Sequence, residues 1–383
     1  MRLNAKVLLL HYGYPPQHTT GGIRLHKIKI HLSPYFSKVY TLSYGKKTVT
    51  YSQAIKNLWV ARILIHLRYS FPTNLLLGKD HLLYLITTFL KANQLIKKKG
   101  ITYLFTSYQP LSDLLIGLLL KKTHPHIFWI TDFRDPYPEE IKATNIFPRL
   151  QRIVLRWIKN NCNLITVVSE GLKKHFESHN QKVFVLYNGL DNHPKKIKIP
   201  ILDYRFNGLI TYTGSIYPQL INPQPFLNHL RILFPYARFL YLGKDADSWI
   251  KWLPDKSQRS ALYTPKSHAI AKKAQKKSDI LLVFTWSNYS IKGVLTTKLF
   301  EYLKANKLVL VLIQGDEDLE WETIGKLFPN CIICYTHACS QHQLENKLRK
   351  ISNSSIRFDF QKISKFLWPK NTAALMDTIK GSI

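Results

Sequence analysis

The chain has 383 residues, 45% of them hydrophobic, enough to bury the cores of two domains. It carries 55 Lys+Arg against 23 Asp+Glu, a formal charge of +32, so its partners are expected to be anionic: nucleic acid, lipid headgroups or phosphorylated ligands. Four cysteines are too few for a disulfide scaffold of this size and fit a reducing cytoplasm.

The excess charge is not a detachable tail. Residues 1–190 hold 27 basic and 8 acidic residues, and the remainder 28 and 15. No apolar run reaches the roughly 18 residues of a membrane-spanning helix. The opening MRLNAKVLLLHYGYPP has too short an apolar run for a signal peptide. A cytoplasmic protein is expected, one that can rest on the inner membrane face.

In chain order, Lys6–Leu10 reads as a buried strand. Pro15 and Pro16 then force an extended turn, and Gly21-Gly22 opens a helix carrying Ile23, His26, Lys27 and Ile30. The loop lacks the G-x-G-x-x-G spacing of a dinucleotide site. It is either a flexible connection or a loop whose backbone approaches a ligand. Val39–Leu42 is a second strand. Residues 52–77 mix basic and apolar residues with an ambiguous period, fitting either an amphipathic membrane-surface segment or a loop plus a packed helix. His81–Lys99 is a helix closed by Gly100. Ile101–Thr106 is a strand, and Leu111–Lys122 an apolar helix.

Ile127–Ile130 runs as a strand into Thr131-Asp132-Phe133-Arg134-Asp135-Pro136-Tyr137. Three charges at the end of a buried strand are costly unless paired or solvated. They form either an internal Asp–Arg clamp or a site at the carboxyl end of the sheet. Pro148–Asn161 is a basic helix, Leu164–Val168 a strand, Ser169 a helix cap, and Val183–Leu186 a strand. Residues 191–205, with two prolines and little period, read as a linker.

A second alternation follows. Leu209–Tyr212 is a strand ending at the glycine turn Thr213-Gly214-Ser215. Phe239–Leu242 ends at Gly243-Lys244-Asp245. Asp279–Phe284 leads through a loop holding Lys292 and Gly293 into a helix with Lys298 and Glu301, and Leu308–Ile313 is the next strand. A strand, loop and helix start place free N–H groups and the helix dipole where anions bind. Glu301 is either a surface carboxylate pairing with Lys298 or Lys304, or one that accepts hydrogen bonds from a sugar diol. Cys331, Cys334 and Cys339 lie near His337 and His342, but a strand at CIICYT puts the first two on opposite faces, so no metal is expected. Residues 358–379 form a last helical region able to pack on either domain. Two doubly wound Rossmann-like α/β domains facing a cleft are expected, at 1–190 and 206–358.

Seven stretches, in order, carry a resemblance: YPPQHTTGGIR, TSYQPLSDLLIGLLLKK, TDFRDPY, ITVVSEGLKKHF, VLYNGLD, YTGSIY and KGVLTTKLFEYLKANK. Together the chain resembles the GT-B glycosyltransferases of the family 4-like group of bacterial polysaccharide synthesis. The resemblance implies a nucleotide-sugar donor in the second domain, a saccharide or lipid-linked acceptor in the first, retention of configuration, and neither cofactor nor metal. By it, Gly214, Ser215 and Glu301 belong to the donor site, with Glu301 on the ribose. Lys292 and Lys298 would face the diphosphate, with Lys244 as a further candidate. Gly21 and Gly22 would cover the reacting centre, while Asp132, Arg134 and Asp135 would line the acceptor side. The basic front half would face an anionic membrane; no specific nucleic acid is expected.

The chain also departs from the family. A second glutamate is expected eight positions before Glu301, where Gly293 stands. A histidine commonly occupies the place of the Asp-Phe-Arg-Asp loop. These departures motivate the alternatives of a catalytically silent GT-B scaffold, or of a basic nucleic-acid-binding protein.

Overall fold

The computed structural model describes residues 3–13, 20–43, 81–108, 110–135, 148–177, 182–253, 259–263, 268–288 and 292–382. The amphipathic stretch at 52–77, the Pro15-Pro16 turn and the end of the TDFRDPY loop lie outside the described residues. The chain divides into two units, Met1–Tyr187 with Trp368–Ile383, and Asn188–Leu367.

The first unit is built on strands β1 (Leu3–Leu10), β2 (Phe36–Leu42), β3 (Tyr103–Tyr108), β4 (Phe128–Phe133), β5 (Leu164–Val167) and β6 (Val183–Val185). All neighbours are parallel, in the order β2-β1-β3-β4-β5-β6. Between them run helices α1 (Thr20–Leu32), α2 (His81–Lys99), α3 (Leu111–Thr123), α4 (Pro148–Asn161) and α5 (Glu170–Phe176). Strands β3 and β5 are buried along their whole length, as expected when helices cover both faces of a parallel sheet. The two-residue period of β1 shows how both cores arise. Leu8 and Leu10 enter the cluster with Leu114, Leu155 and Phe176 of α3, α4 and α5. Val7 and Leu9 enter the opposite one, with Leu25 and Ile28 of α1.

That second cluster also takes Leu375, Met376 and Ile379, so the last helix, α12 (Trp368–Lys380), completes the first unit. The helical region expected at 358–379 is therefore shorter, with only a 3₁₀ turn at Ser364–Phe366 before it.

The second unit has strands β8 (Leu209–Thr213), β9 (Arg238–Leu242), β10 (Arg259–Tyr263), β11 (Ile280–Ser287), β12 (Leu308–Gly315) and β13 (Cys331–Tyr335), ordered β10-β9-β8-β11-β12-β13 and all parallel. Its helices are α6 (Gln224–Leu233), α7 (Ala246–Trp252), α8 (His268–Lys277), α9 (Thr297–Lys304), α10 (Leu319–Leu327) and α11 (Gln341–Ile351). This is the strand order of the nucleotide-binding Rossmann sheet. The unbroken apolar run Leu308–Ile313 forms a central strand because it has a paired neighbour on each side and is buried throughout.

The stretch at 191–205 is not a free linker. Strand β7 (Ile197–Lys198) pairs antiparallel with β14 (Ser355–Ile356). The Ile199 N–H donates to Ser354 O at 2.9 Å, and Leu202 N–H to Ser352 Oγ at 2.8 Å. Its lack of periodicity reflects a two-residue strand whose backbone groups find partners over 150 residues away.

Candidate functional site

In a parallel sheet, ligand sites open at the carboxyl ends of strands where the strand order reverses. In the first unit that point lies between β1 and β3. His11 directly follows β1, and Asp113 sits in the first turn of α3, directly after β3. The His11 Nδ1 is 2.7 Å from Asp113 Oδ2, and the two side chains are 2% and 0% exposed.

Asp113 is held from three sides. Tyr12 N–H donates to Oδ2 at 3.0 Å, and Tyr84 OH, from α2, donates to Oδ1 at 2.6 Å. Burial, with the Asp113 charge adding to it, pushes the Tyr84 phenol well above its ordinary value, so Tyr84 stays a donor. In the neutral ring, a carboxylate partner fixes the tautomer: Nδ1 carries the proton and Nε2 presents a lone pair. Nε2 is buried and has no hydrogen-bond partner among the described residues.

Gly21, at the start of α1, bounds the space beside that nitrogen. A Cβ built there would lie 2.5 Å from His11 Nε2 and 2.8 Å from both Cζ and Nη2 of Arg134. A side chain at position 21 would collide with both groups, which explains glycine without appeal to a turn. Arg134 is anchored by its own Nε, which donates to Tyr108 O at 2.8 Å. An imidazole nitrogen and a guanidinium thus flank one glycine. Gly22 is buried in the same turn of helix, and Asp135 is half-buried one residue beyond Arg134.

Asp132 is elsewhere, and its surroundings correct the acceptor-side expectation. Its carboxylate is fully buried and accepts from Arg24 Nε at 2.9 Å, Arg24 Nη2 at 2.7 Å, Ser107 Oγ at 2.9 Å and Thr166 Oγ1 at 2.8 Å. Burial alone would raise this carboxyl, but the Arg24 guanidinium and these hydrogen bonds outweigh it and hold it below the usual range. Arg24 also donates to Leu186 O at 2.8 Å and lies 5.8 Å from the Trp368 ring centroid. Asp132 therefore clamps α1, β3, β4 and β5 together, and its lone pairs are spoken for. The internal clamp foreseen for this loop exists, with Arg24 as its cation and not Arg134.

In the second unit the order reverses between β8 and β11. The turn after β8 carries Gly214 at φ +112°, a backbone shape that favours glycine. A Cβ there would lie 2.4 Å from Lys298 Cε. Lys298, in the first turn of α9, donates from Nζ to Tyr212 OH at 2.8 Å and to Ser215 O at 3.4 Å, and lies 4.4 Å from the Tyr212 ring centroid. Burial lowers its ammonium to about 8, although Glu301 and Asp245 pull the other way. Tyr212 itself is packed among Tyr241, Trp249 and Phe284. Gly214, Ser215 and Lys298 are thus brought together at the end of β8.

Glu301 lies one turn further along α9, half-buried, with Oε1 3.2 Å from His268 Nε2 and Oε2 3.5 Å from Gln275 Nε2. It faces α8 and is no surface lysine pair; Lys304 reaches Asp191 instead. Lys292 is tied to the loop after β12, donating to Glu317 O at 2.7 Å, with Asp316 at 3.5 Å. Lys244 is exposed. Gly293, the residue in place of the expected glutamate, has φ +68°, and its N–H donates to buried Asp318 Oδ2 at 2.6 Å. That left-handed conformation disfavours any side chain at this position. Cys331 and Cys334 are buried in β13.

His11, Asp113 and Tyr84 escaped the sequence reading. Two signals were visible. A histidine directly follows the first strand, and one acid stands in the otherwise apolar start of LSDLLIGLLL.

No protein-family model matches the chain, and no curated protein sequence is recognisably similar to it. Solved structures are similar. The N-terminal domain of Candida albicans trehalose-6-phosphate phosphatase superposes with TM-score 0.60 at 11% identity, over 100% of this chain and 98% of that one. The Anabaena protein HepE, in complex with UDP and glucose, gives 0.55 at 11%, over 98% and 100%. A glycosyltransferase from Rickettsia africae gives 0.54 at 12%, over 99% and 98%. At such identities the likeness is one of architecture, and the conclusion it supports is that this chain has the GT-B fold, built from two Rossmann-like domains.

Proposed function

We propose that the protein is a glycosyltransferase that moves a sugar from a nucleoside diphosphate onto an acceptor hydroxyl, with His11 as the general base. The observation that carries this reading is the buried His11–Asp113 pair, whose Nε2 has no partner among the described residues at the sheet's switch point. Histidine is the side chain best suited to take a proton near neutral pH, and an orienting carboxylate stabilises the imidazolium that results. The acceptor hydroxyl loses its proton to Nε2 as its oxygen bonds to the anomeric carbon. The bond from that carbon to the diphosphate oxygen breaks, and the electron pair leaves with the nucleotide. In the second unit Lys298, held beside the glycine turn of the Rossmann sheet, is the cation offered to that charge.

A base with its own orienting acid serves a single displacement, which inverts the anomeric centre, in place of the retention that the family 4-like resemblance implies. Glu301, beside His268 and Gln275, is the carboxylate offered to the ribose. Arg134 gives the acceptor side a fixed positive charge, fitting a saccharide or lipid-linked acceptor that carries phosphate or carboxylate. The solved complex of HepE with UDP and glucose is in keeping with a uridine or similar nucleotide donor. The silent-scaffold reading draws on one observation, the left-handed Gly293 where a second glutamate was expected.

The test is incubation of the protein with UDP-, GDP- and dTDP-sugars, with and without a saccharide acceptor. Release of nucleoside diphosphate by the wild type, lost in His11→Ala, supports the reading. Indifference of both proteins to every donor, in turnover and in thermal protection, contradicts it.

A further inference from the structure

The same face of the first sheet is covered by α2, α3 and α4, which share one core through Tyr84, Ala92, Leu114, Leu155 and Ile158. In sequence these three helices hold ten Lys or Arg residues and one acid, the buried Asp113; among the described side chains Lys91, Lys97, Lys98, Lys99, Lys122 and Arg156 are exposed. Four of the five exposed large hydrophobic residues described in the first unit belong to them: Leu90, Leu119, Ile153 and Trp157. The sharpest case is α4. Its sequence, PRLQRIVLRWIKNN, has four basic residues and no acid. Leu155 and Ile158 anchor one side in the core. Ile153 and Trp157, one turn apart, stand 46% and 59% exposed on the opposite side, with exposed Arg156 between them in sequence.

We propose that this layer is a docking surface for an anionic lipid bilayer, with Ile153 and Trp157 entering the headgroup boundary and the surrounding cations meeting lipid phosphates. Exposed apolar side chains on a soluble helix mark a contact site when they share a face with charge of one sign. Tryptophan prefers the interface of a bilayer, where one part of the ring is dry and the other wet. Each cation near an anionic surface adds attraction, and dispersed single-sign charge suits a laterally continuous partner. A nucleic acid would use the cations but would leave Ile153 and Leu90 without a partner. No helix among the described residues is long and apolar enough to cross a membrane, so the contact is a surface one. Vesicle binding requires no nucleotide sugar, so this inference stands or falls apart from the glycosyl-transfer reading.

The full chain is co-sedimented with phosphatidylcholine vesicles, with and without about one-third phosphatidylglycerol, over a salt series. Binding to the anionic vesicles that weakens with salt, and falls at least tenfold in Ile153→Ser/Trp157→Ser while circular dichroism and melting stay unchanged, is the expected result. Arg156→Glu should lower binding further at low salt than at high salt. Absence of binding to anionic vesicles overturns the inference. So does binding that the double substitution leaves unchanged, and so does tighter, Trp157-independent binding to duplex or single-stranded nucleic acid in the same buffer. If the double variant melts early, brominated-lipid quenching of the wild type is compared with that of Trp157→Phe: quenching lost in the variant supports the inference, and quenching absent from the wild type or unchanged in the variant overturns it.

Discussion

His11 Nδ1 lies 2.7 Å from Asp113 Oδ2 across two separate strand–helix junctions, 102 residues apart in sequence, in a pocket where neither side chain meets solvent. The sheet topology brings them together: His11 directly follows the strand at the reversal, and Asp113 lies in the first turn of the helix that follows the neighbouring strand. Because Tyr84 and Tyr12 N–H also donate to Asp113, the carboxylate has one orientation available.

Replacing Asp113 by Asn should therefore reduce turnover far more than binding. The amide can donate to Nδ1 and favours the wrong tautomer, so kcat should fall about 10²- to 10⁴-fold with KM for the donor little changed. The amide also loses the charge-assisted contact with Tyr84, worth about 1–3 kcal/mol, so a modest drop in melting temperature should accompany it. Steady-state kinetics with a fixed donor measures both effects.

Gly21→Ala probes the space beside Nε2. The added methyl would stand 2.5 Å from Nε2 and 2.8 Å from the Arg134 guanidinium. Since Gly21 is helical, alanine brings no backbone penalty. Because the buried His11 ring is fixed by Asp113, the overpacking should cost about 1–3 kcal/mol, with a loss of activity as large as that of His11→Ala. Parallel urea melts and assays separate the two quantities.

The proposed role of Lys298 makes nucleotide binding depend on pH. Burial brings its ammonium down to about 8. Below that value the charge is present and attracts a diphosphate; above it the charge is lost. Affinity for a nucleoside diphosphate should weaken as pH rises from about 7 to 9, and binding near pH 8 should take up protons because the phosphate favours the charged form. Calorimetry in two buffers of different ionisation enthalpy reads that uptake, and Lys298→Met should abolish it. In the free protein the sign reverses for stability. A lysine lowered by folding makes the fold more stable as pH rises from 8 towards its unfolded value, and Lys298→Met should remove that rise.

The Arg24–Asp132 clamp predicts a different phenotype. Removing one partner leaves a buried charge alone, costing about 3–5 kcal/mol. Arg24→Met should destabilise by that amount, and Arg24→Met/Asp132→Leu should recover much of it. Because the Asp132 carboxyl is depressed in the fold, its contribution is complete above the unfolded carboxylate range and is lost as pH falls below about 4. Urea titrations at pH 7 and pH 3.5 would show the variants converging with the wild type in acid.

Much of the architecture was legible because buried parallel strands are short apolar runs separated by helical periods. Leu308–Ile313, Ile101–Thr106 and the glycine turn at Gly214 announce themselves locally. Pairings over distance do not. Asp132 looks functional from TDFRDPY because its partner, Arg24, is 108 residues away on another element. His11 looks like a strand-end residue until Asp113 and Tyr84 are seen beside it. The 191–205 segment reads as a linker because its strand has two residues and pairs with 355–356. Gly293 reads as a missing carboxylate, whereas its φ of +68° and the Asp318 contact supply a backbone reason for glycine.

Transfer of the acceptor's proton to His11 Nε2 is tested most directly by nucleoside diphosphate release, with a saccharide acceptor and the preferred nucleotide sugar, in the wild type, His11→Ala and Asp113→Asn, with the anomeric configuration of the product read by NMR. Turnover lost in His11→Ala and lowered in Asp113→Asn, at unchanged donor affinity and with an inverted product, is the expected result. Full activity in His11→Ala would contradict it.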